Sequence, residues 1–234
     1  MVLDKMKNCM VISGQFRTFR DTVNKMKQFI EINKLDVYAF LWSDDVEEKR
    51  FVLDHLKPVN YRFEKYSAYK DIFDNIERKV RATNPKNAPN DKVAANASMN
   101  FARKQAYSLV NQDYDNIFYC RYDIDVMPNW TILQQPDAIL TPTEESYNLI
   151  SDIFAIIPTE YAPYYFLYDD YERLHSTQFE PEFEDWLRNV KQYGEENIRI
   201  HKYERYCPHM MLLRHLWINK VPAKMTDLNV SIKR

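Results

Sequence analysis

Ile117-Phe118-Tyr119-Cys120-Arg121-Tyr122-Asp123-Ile124-Asp125-Val126 decides how this chain is read. The stretch begins as an unbroken apolar run and ends with charge at alternate positions. Strand side chains alternate faces with period two. A single strand through the stretch therefore puts Arg121, Asp123 and Asp125 on one face and Phe118, Cys120, Tyr122, Ile124 and Val126 on the other. A run that is apolar on both faces is the pattern of a central strand covered by helices. In open α/β sheets ligands bind outside the carboxyl ends of strands. Two carboxylates and an arginine at such an end point to a divalent cation and a phosphate-bearing ligand. The plain alternative is a salt-bridged strand end at the surface, because D-x-D is a short and common pattern.

Upstream, Cys9 to Ile12 reads as a short buried strand that leads into Ser13-Gly14-Gln15-Phe16-Arg17-Thr18. A helical pattern then places Val23, Met26 and Ile30 on one face. Asp36 to Trp42 is a second apolar strand ending at Ser43-Asp44-Asp45; residues 46–57 read as helix, and Tyr61 to Tyr66 alternates like a half-exposed strand. Strands alternating with helices imply βαβ units, so the expected fold is α/β, a Rossmann-like and mostly parallel central sheet with helices on both faces. Residues 83–92 are polar with two prolines and read as a loop that could act as a lid. An amphipathic helix follows, with Ala94, Ala97, Phe101, Ala102, Ala106, Leu109 and Val110 at helical spacing. Beyond Val126, strands are expected at Ala138–Leu140 and Asp152–Ile157, a Tyr-rich helix over 159–174, and a helix from Pro208 to Asn219 opened by its proline.

The bulk numbers narrow the classes. At 234 residues the chain is long enough for one sizeable domain, 1–234. A composition 45% hydrophobic and 28% charged is globular, and a net charge of −2 argues against a general nucleic-acid binder. No apolar run approaches the roughly 18–20 residues that span a bilayer. The opening ten residues are short and charged, unlike a secretory signal, so a cytoplasmic location with reduced cysteines is expected. Cys9 and Cys120 lie in apolar strand runs and read as small core residues.

Gly14 stands out because the chain has only two glycines. At the end of a first strand, a glycine lets backbone approach a ligand closely. Arg17 and Arg20 would add positive charge there, Arg17 with bidentate reach to phosphate. No G-x-G-x-x-G and no Walker sequence occurs, which disfavours the usual dinucleotide fold and P-loop kinases. Asp123 and Asp125 offer hard oxygen ligands, which suit Mn²⁺ or Mg²⁺ on a diphosphate better than zinc. A cation there would neutralise charge on a leaving phosphate, as when an activated sugar is transferred. Inverting transfer also needs a carboxylate to deprotonate the acceptor hydroxyl, and Asp152 is best placed by sequence; a turn cap is the competing reading. Glu182, Glu184 and Asp185 are the reserve candidates. His209, at a helix start beside Pro208, is the one histidine of the C-terminal group worth testing as a ligand.

Four segments together resemble the GT-A glycosyltransferases of bacterial and large-virus polysaccharide synthesis, in the group that includes WavE-like proteins. Val11 to Arg17 resembles that group's opening strand and S-G-x-x-R turn, and Asp36 to Asp44 its second strand ending in tryptophan and acids. Tyr119 to Asp125 resembles its R-x-D-x-D strand, and Ser151 to Ala155 its later D-x-F-A segment. The resemblance implies a metal-dependent enzyme moving a hexosyl or pentosyl group from a UDP- or GDP-linked donor to a carbohydrate acceptor. It implies a nucleotide-sugar-binding half over 1–126 and an acceptor half over 127–234. Ser13, Gly14, Gln15 and Arg17 would hold the nucleotide, with Arg121 and Asp123 near the ribose and diphosphate. Asp123 and Asp125 would take the Mn²⁺ or Mg²⁺. Where relatives open the late helix with Pro-Glu, this chain has Pro208-His209. Two other classes compete: a sugar nucleotidyltransferase, which normally carries a glycine-rich N-terminal loop absent here, and a non-catalytic sugar- or nucleotide-binding protein of the same fold.

Overall fold

In the computed structural model, which describes residues 6–83, 93–142, 151–167, 180–189, 208–226, 228 and 230–233, the chain opens as an alternation of strands and helices. It runs β1 (Asn8–Gln15), α1 (Phe19–Asn33), β2 (Asp36–Trp42), α2 (Val46–Leu56) and β3 (Asn60–Glu64). Next come α3 (Lys70–Thr83), α4 (Val93–Tyr107), β4 (Asn116–Arg121) and β5 (Ile124–Val126). The second half supplies β6 (Ile139–Pro142), β7 (Phe154–Pro158), α5 (Ala162–Phe166), α6 (Pro181–Asn189), α7 (Pro208–Ile218), β8 (Ala223–Thr226) and β9 (Val230–Ile232).

Seven strands form one sheet in the order β3-β2-β1-β4-β7-β6-β8. β3, β2, β1 and β4 are mutually parallel; β7 runs antiparallel to both β4 and β6, and β8 is parallel to β6. The fold is therefore α/β with a mostly parallel central sheet. Its centre is apolar on both faces for the reason the sequence gives. Cys9 and Val11 point into one core with α3, α4, α5 and α7, while Met10 and Ile12 point into the other with α1 and α2. On α1, Phe19, Val23, Met26 and Phe29 face the sheet. Each such aromatic or aliphatic burial is worth about 1.5–3 kcal/mol, so the two layers are held on by their own apolar stripes. α2 begins where Asp45 caps it, its Oδ1 accepting from Glu47 N at 2.7 Å and Glu48 N at 3.1 Å. Of the two acids after β2, Asp45 thus serves a helix start and Asp44 pairs with Lys65.

The chain leaves β1 for β2 on one side, and β4 lies on the other. That makes the carboxyl ends of β1 and β4 the point where strand order reverses, the usual ligand crevice of an open α/β sheet.

Several expectations change. The first strand is longer than Cys9–Ile12 and runs through Gln15, with Gly14 opposite Leu41 and Gln15 opposite Trp42. Gly14 is therefore a strand residue rather than the start of a loop. The ten-residue strand 117–126 is two strands: β4 stops at Arg121, Tyr122-Asp123 make a turn, and β5 pairs with β9 in a separate two-stranded sheet. Asp123 and Asp125 consequently do not share one face of one strand. Helices α3 and α6 and strands β8 and β9 have no counterpart in the sequence reading. The Tyr-rich helix is a single 3₁₀ turn (Thr159–Tyr161) followed by α5. Its continuation lies outside the described residues, as do residues 84–92 of the suggested 83–92 lid, residues 201 and 207 and the side chain of His209, while Thr83 ends α3.

Candidate functional site

Ser13, Gly14 and Gln15 occupy the last three positions of β1, which brings them to the crevice. Gly14 has φ +132°, and a Cβ built there would meet nothing within 4 Å. Backbone conformation, not crowding, is what asks for glycine. Two residues after the strand, Arg17 has φ +39°, uncommon for a residue with a side chain. This left-handed turn sends its guanidinium back toward the sheet. Arg17 Nε donates to Gln15 Oε1 at 3.1 Å and Nη1 donates to Asp123 Oδ2 at 3.0 Å.

Arg121, the last residue of β4, reaches the same carboxylate from the other side. Its Nε donates to Asp123 Oδ1 at 2.9 Å and its Nη2 to Oδ2 at 2.6 Å, a two-pronged contact that fixes the guanidinium plane. Burial works against the Arg121 charge, but Asp123 beside it outweighs that and raises its pKa, so it remains cationic. Asp123 is 2% exposed, so its charge is tolerated because of this pairing.

These groups line one cavity of about 260 Å³ together with Ser13, Trp42, Ser98 and Asp152. Asp152 is buried and sits just before β7, where its neighbour Ser151 organises the backbone. Ser151 Oγ accepts from Ile153 N at 3.2 Å and Phe154 N at 3.4 Å, while Tyr165 OH donates to the Ser151 carbonyl at 3.0 Å. Ser151, rather than Asp152, is the capping side chain of that turn. Ser13 Oγ lies 3.2 Å from Tyr119 OH beneath the cavity, and burial pushes the Tyr119 hydroxyl up to about 12, so it stays protonated. Trp42 is fixed by stacking on Phe101 (centroids 5.6 Å, 20° between planes) and by an edge contact with Phe40 at 4.9 Å.

Ser13, Gly14, Gln15, Arg17, Arg121, Asp123 and Asp152, all singled out by sequence, thus meet around one cavity. Asp125 does not. It lines a separate recess with Lys25, Met127 and Ser231, and its Oδ2 accepts from Lys25 Nζ at 2.8 Å. Arg20 also departs from the reading: its guanidinium lies over the Phe51 ring at 4.5 Å and the Phe16 ring at 5.3 Å, on α1 rather than in the cavity. Glu182 and Asp185 lie on α6 and do not line it. Five lining residues carry no motif: Ala95, Asn96, Ser98 and Met99 on α4, and Ile232 on β9. Asn96 and Ser98 interrupt an alanine-rich apolar stretch with small polar groups, the one hint available in the sequence.

The donor set does not fit a Mn²⁺ or Mg²⁺ held jointly by Asp123 and Asp125. Such ions take several oxygen ligands, yet both Asp123 oxygens accept from guanidinium groups and Asp125 faces another recess. Among the described residues, no group of three or more His, Cys, Asp or Glu side chains converges as a metal site would require. The arrangement suits an anion instead. Arg17 is half exposed and spends two of its five N–H donors on Gln15 and Asp123, leaving the rest for a ligand. Among the described residues, no helix is long and apolar enough to cross a membrane.

No family model and no curated protein sequence matches the chain. Among solved structures it is similar to mouse xyloside xylosyltransferase 1 in its apo form, at 10% identity and TM-score 0.43, over 94% of this chain and 84% of that one. It is also similar to the apo form of the glycosyltransferase GlyE from Streptococcus pneumoniae, at 12% identity and TM-score 0.41, over 94% of this chain and 45% of that one. This chain thus spans under half of GlyE's length. A third is the galactosyltransferase LgtC in complex with donor and acceptor sugar analogues, at 14% identity and TM-score 0.40, over 83% of this chain and 69% of that one.

Proposed function

We propose that the chain is a glycosyltransferase that takes a sugar from a nucleoside diphosphate donor, UDP- or GDP-linked, and passes it to a carbohydrate hydroxyl. One observation carries the reading. Gly14, Arg17, Arg121, Asp123 and Asp152 come from three separate stretches of chain and line a single cavity at the carboxyl ends of β1 and β4. At about 260 Å³ the cavity is slightly below the roughly 300–1,000 Å³ of small-molecule pockets, which suits the diphosphate and part of the nucleoside better than a whole donor and acceptor.

In the proposed transfer the acceptor oxygen attacks the anomeric carbon. The bond from that carbon to the phosphate oxygen breaks, and the diphosphate leaves with the electron pair. Arg17 and Arg121 place two guanidinium groups where that charge develops, a fixed electrostatic stabilisation that needs no reorganisation during the reaction. Asp123 holds both guanidiniums in place and can accept from a ribose hydroxyl. Asp152 takes the proton of the acceptor hydroxyl, as an inverting transfer requires. No step is assigned to a metal ion, because Asp123 and Asp125 do not present a shared ligand set. The test is transfer of radiolabelled sugar from a panel of UDP- and GDP-sugars to simple saccharide acceptors. Transfer or slow donor hydrolysis is expected with one of them, and inertness across the panel, together with no nucleotide binding, would refute the assignment.

A further inference from the structure

The turn at Tyr122-Asp123 gives the two acids of the Arg-x-Asp-x-Asp segment different surroundings. Asp123 lines the cavity described above, whereas Asp125 lies on β5 opposite Ser231 of β9. Its Oδ2 accepts from Lys25 Nζ at 2.8 Å and lies 3.7 Å from Lys233 Nζ. Its Oδ1 is buried and has no hydrogen-bond partner among the described residues, so this carboxylate is balanced by the two lysines.

The same C-terminal segment is tied down twice more. Lys233 N donates to the Asp123 carbonyl at 2.9 Å, and Thr18 Oγ1 donates to the Lys233 carbonyl at 3.0 Å. Residues 230–233 are thereby fastened to β5, to the turn before α1, and through Asp125 to Lys25 on α1. Ile232, in the middle of that segment, lines the cavity beside Arg17 and Asp123. A two-stranded ribbon with three residues on each strand is not stable by itself, so its docking depends on such side-chain ties.

We propose that Asp125 is a positioning residue. Gripped by Lys25 and Lys233, it holds the C-terminal strand against β5 so that Ile232 closes one wall of the cavity, and it takes no part in binding a divalent cation. To ligate an ion shared with Asp123, it would have to leave both lysines and abandon its recess. The effect of this latch on ligand affinity rests on the reading of the cavity as a nucleoside diphosphate site; the latch itself does not.

The test compares wild type with Asp125→Asn and with Lys25→Met, a change on the exposed side of α1 that removes the nearer of the acid's two lysine partners without touching the acid. Hydrogen exchange is followed over 124–126 and 228–233, and UDP and GDP binding is measured by calorimetry in EDTA and in Mn²⁺. Both variants are expected to accelerate exchange in these segments. Both are expected to weaken nucleotide binding by roughly tenfold, a change of about 1.4 kcal/mol, and equally in the two buffers. Unchanged exchange in both variants overturns the latch. A loss seen only in Mn²⁺ and only with Asp125→Asn also overturns it and makes Asp125 a metal ligand. If wild type binds neither nucleotide in either buffer, the donor-site reading fails, and the exchange data still decide whether Asp125 fastens the strand.

Discussion

Arg17 and Asp123 are joined across 106 residues of sequence: Nη1 of an arginine in a left-handed turn donates at 3.0 Å to a carboxylate that is almost wholly buried. The pair connects the end of β1 to the end of β4, the two strands flanking the reversal of strand order. Arg17 is half exposed and Arg121 largely buried, so one guanidinium stands at the cavity's open side while the other is fixed within it by its two-pronged contact.

Arg17→Ala is expected to weaken binding of the preferred nucleoside diphosphate by about 1.5–3 kcal/mol, the usual worth of a hydrogen bond to a charged group. Asp123 keeps Arg121, so the fold should survive. Isothermal calorimetry on the variant checks this, and unchanged affinity would reduce Arg17 to a solvated surface charge.

Gly14→Ala should destabilise the protein by about 1–3 kcal/mol through backbone strain alone. The site has φ +132° and no atom within 4 Å of the added methyl, so steric clash contributes nothing. Urea denaturation gives the number. A neutral result would mean that β1 relaxes its conformation at this residue without cost.

Much of this site was legible in the sequence. The central strand was recognisable from Ile117 to Cys120 because nothing in that run is polar, and Asp36–Trp42 for the same reason. Gly14, Arg17, Arg121, Asp123 and Asp152 followed from their places beside such strands, and Ser13 and Gln15 from the family resemblance alone. The break at Tyr122-Asp123 was not legible, because period-two alternation continues through the turn into β5 as if the strand had never ended. Helix α3 was missed because it buries little beyond Phe73 and Val80 in an otherwise charged segment. β8 and β9 are three or four residues long and exist through pairing with distant partners, Ile139–Pro142 and Ile124–Val126. Arg20 looked equivalent to Arg17, yet the ring of Phe51, a residue on another helix, draws it away from the cavity.

Asp152→Asn should separate chemistry from binding. A general base contributes about 10²–10⁴ in rate, so sugar transfer should fall by that factor while donor affinity holds. Steady-state kinetics with a saccharide acceptor provides the check. A loss below about tenfold would exclude Asp152 as the base, and Glu182, Glu184 and Asp185 would be examined next.

Stability should fall in alkali. Burial raises the Cys120 thiol well above its ordinary 9.0 and the Tyr119 hydroxyl from 10.0 to about 12. Both groups keep their protons in the folded state at a pH where the unfolded chain has released them. Their contribution is whole below about pH 9, and the share of Tyr119 is lost as pH rises from about 10 toward about 12. Thermal unfolding followed across that range should show a falling midpoint, and a flat profile would mean these groups are solvated in the folded protein.

The most direct test of the donor-site account is a thermal-shift panel of UDP, GDP and CMP on the wild-type protein, repeated with Arg17→Ala. One nucleoside diphosphate should raise the midpoint, since a ligand at about 100 times its dissociation constant adds about 2.7 kcal/mol of stability. CMP should do less, and Arg17→Ala should need a higher concentration for the same shift. A panel in which no nucleotide shifts the midpoint, or in which the variant responds like wild type, would contradict the claim that this cavity holds the donor's diphosphate.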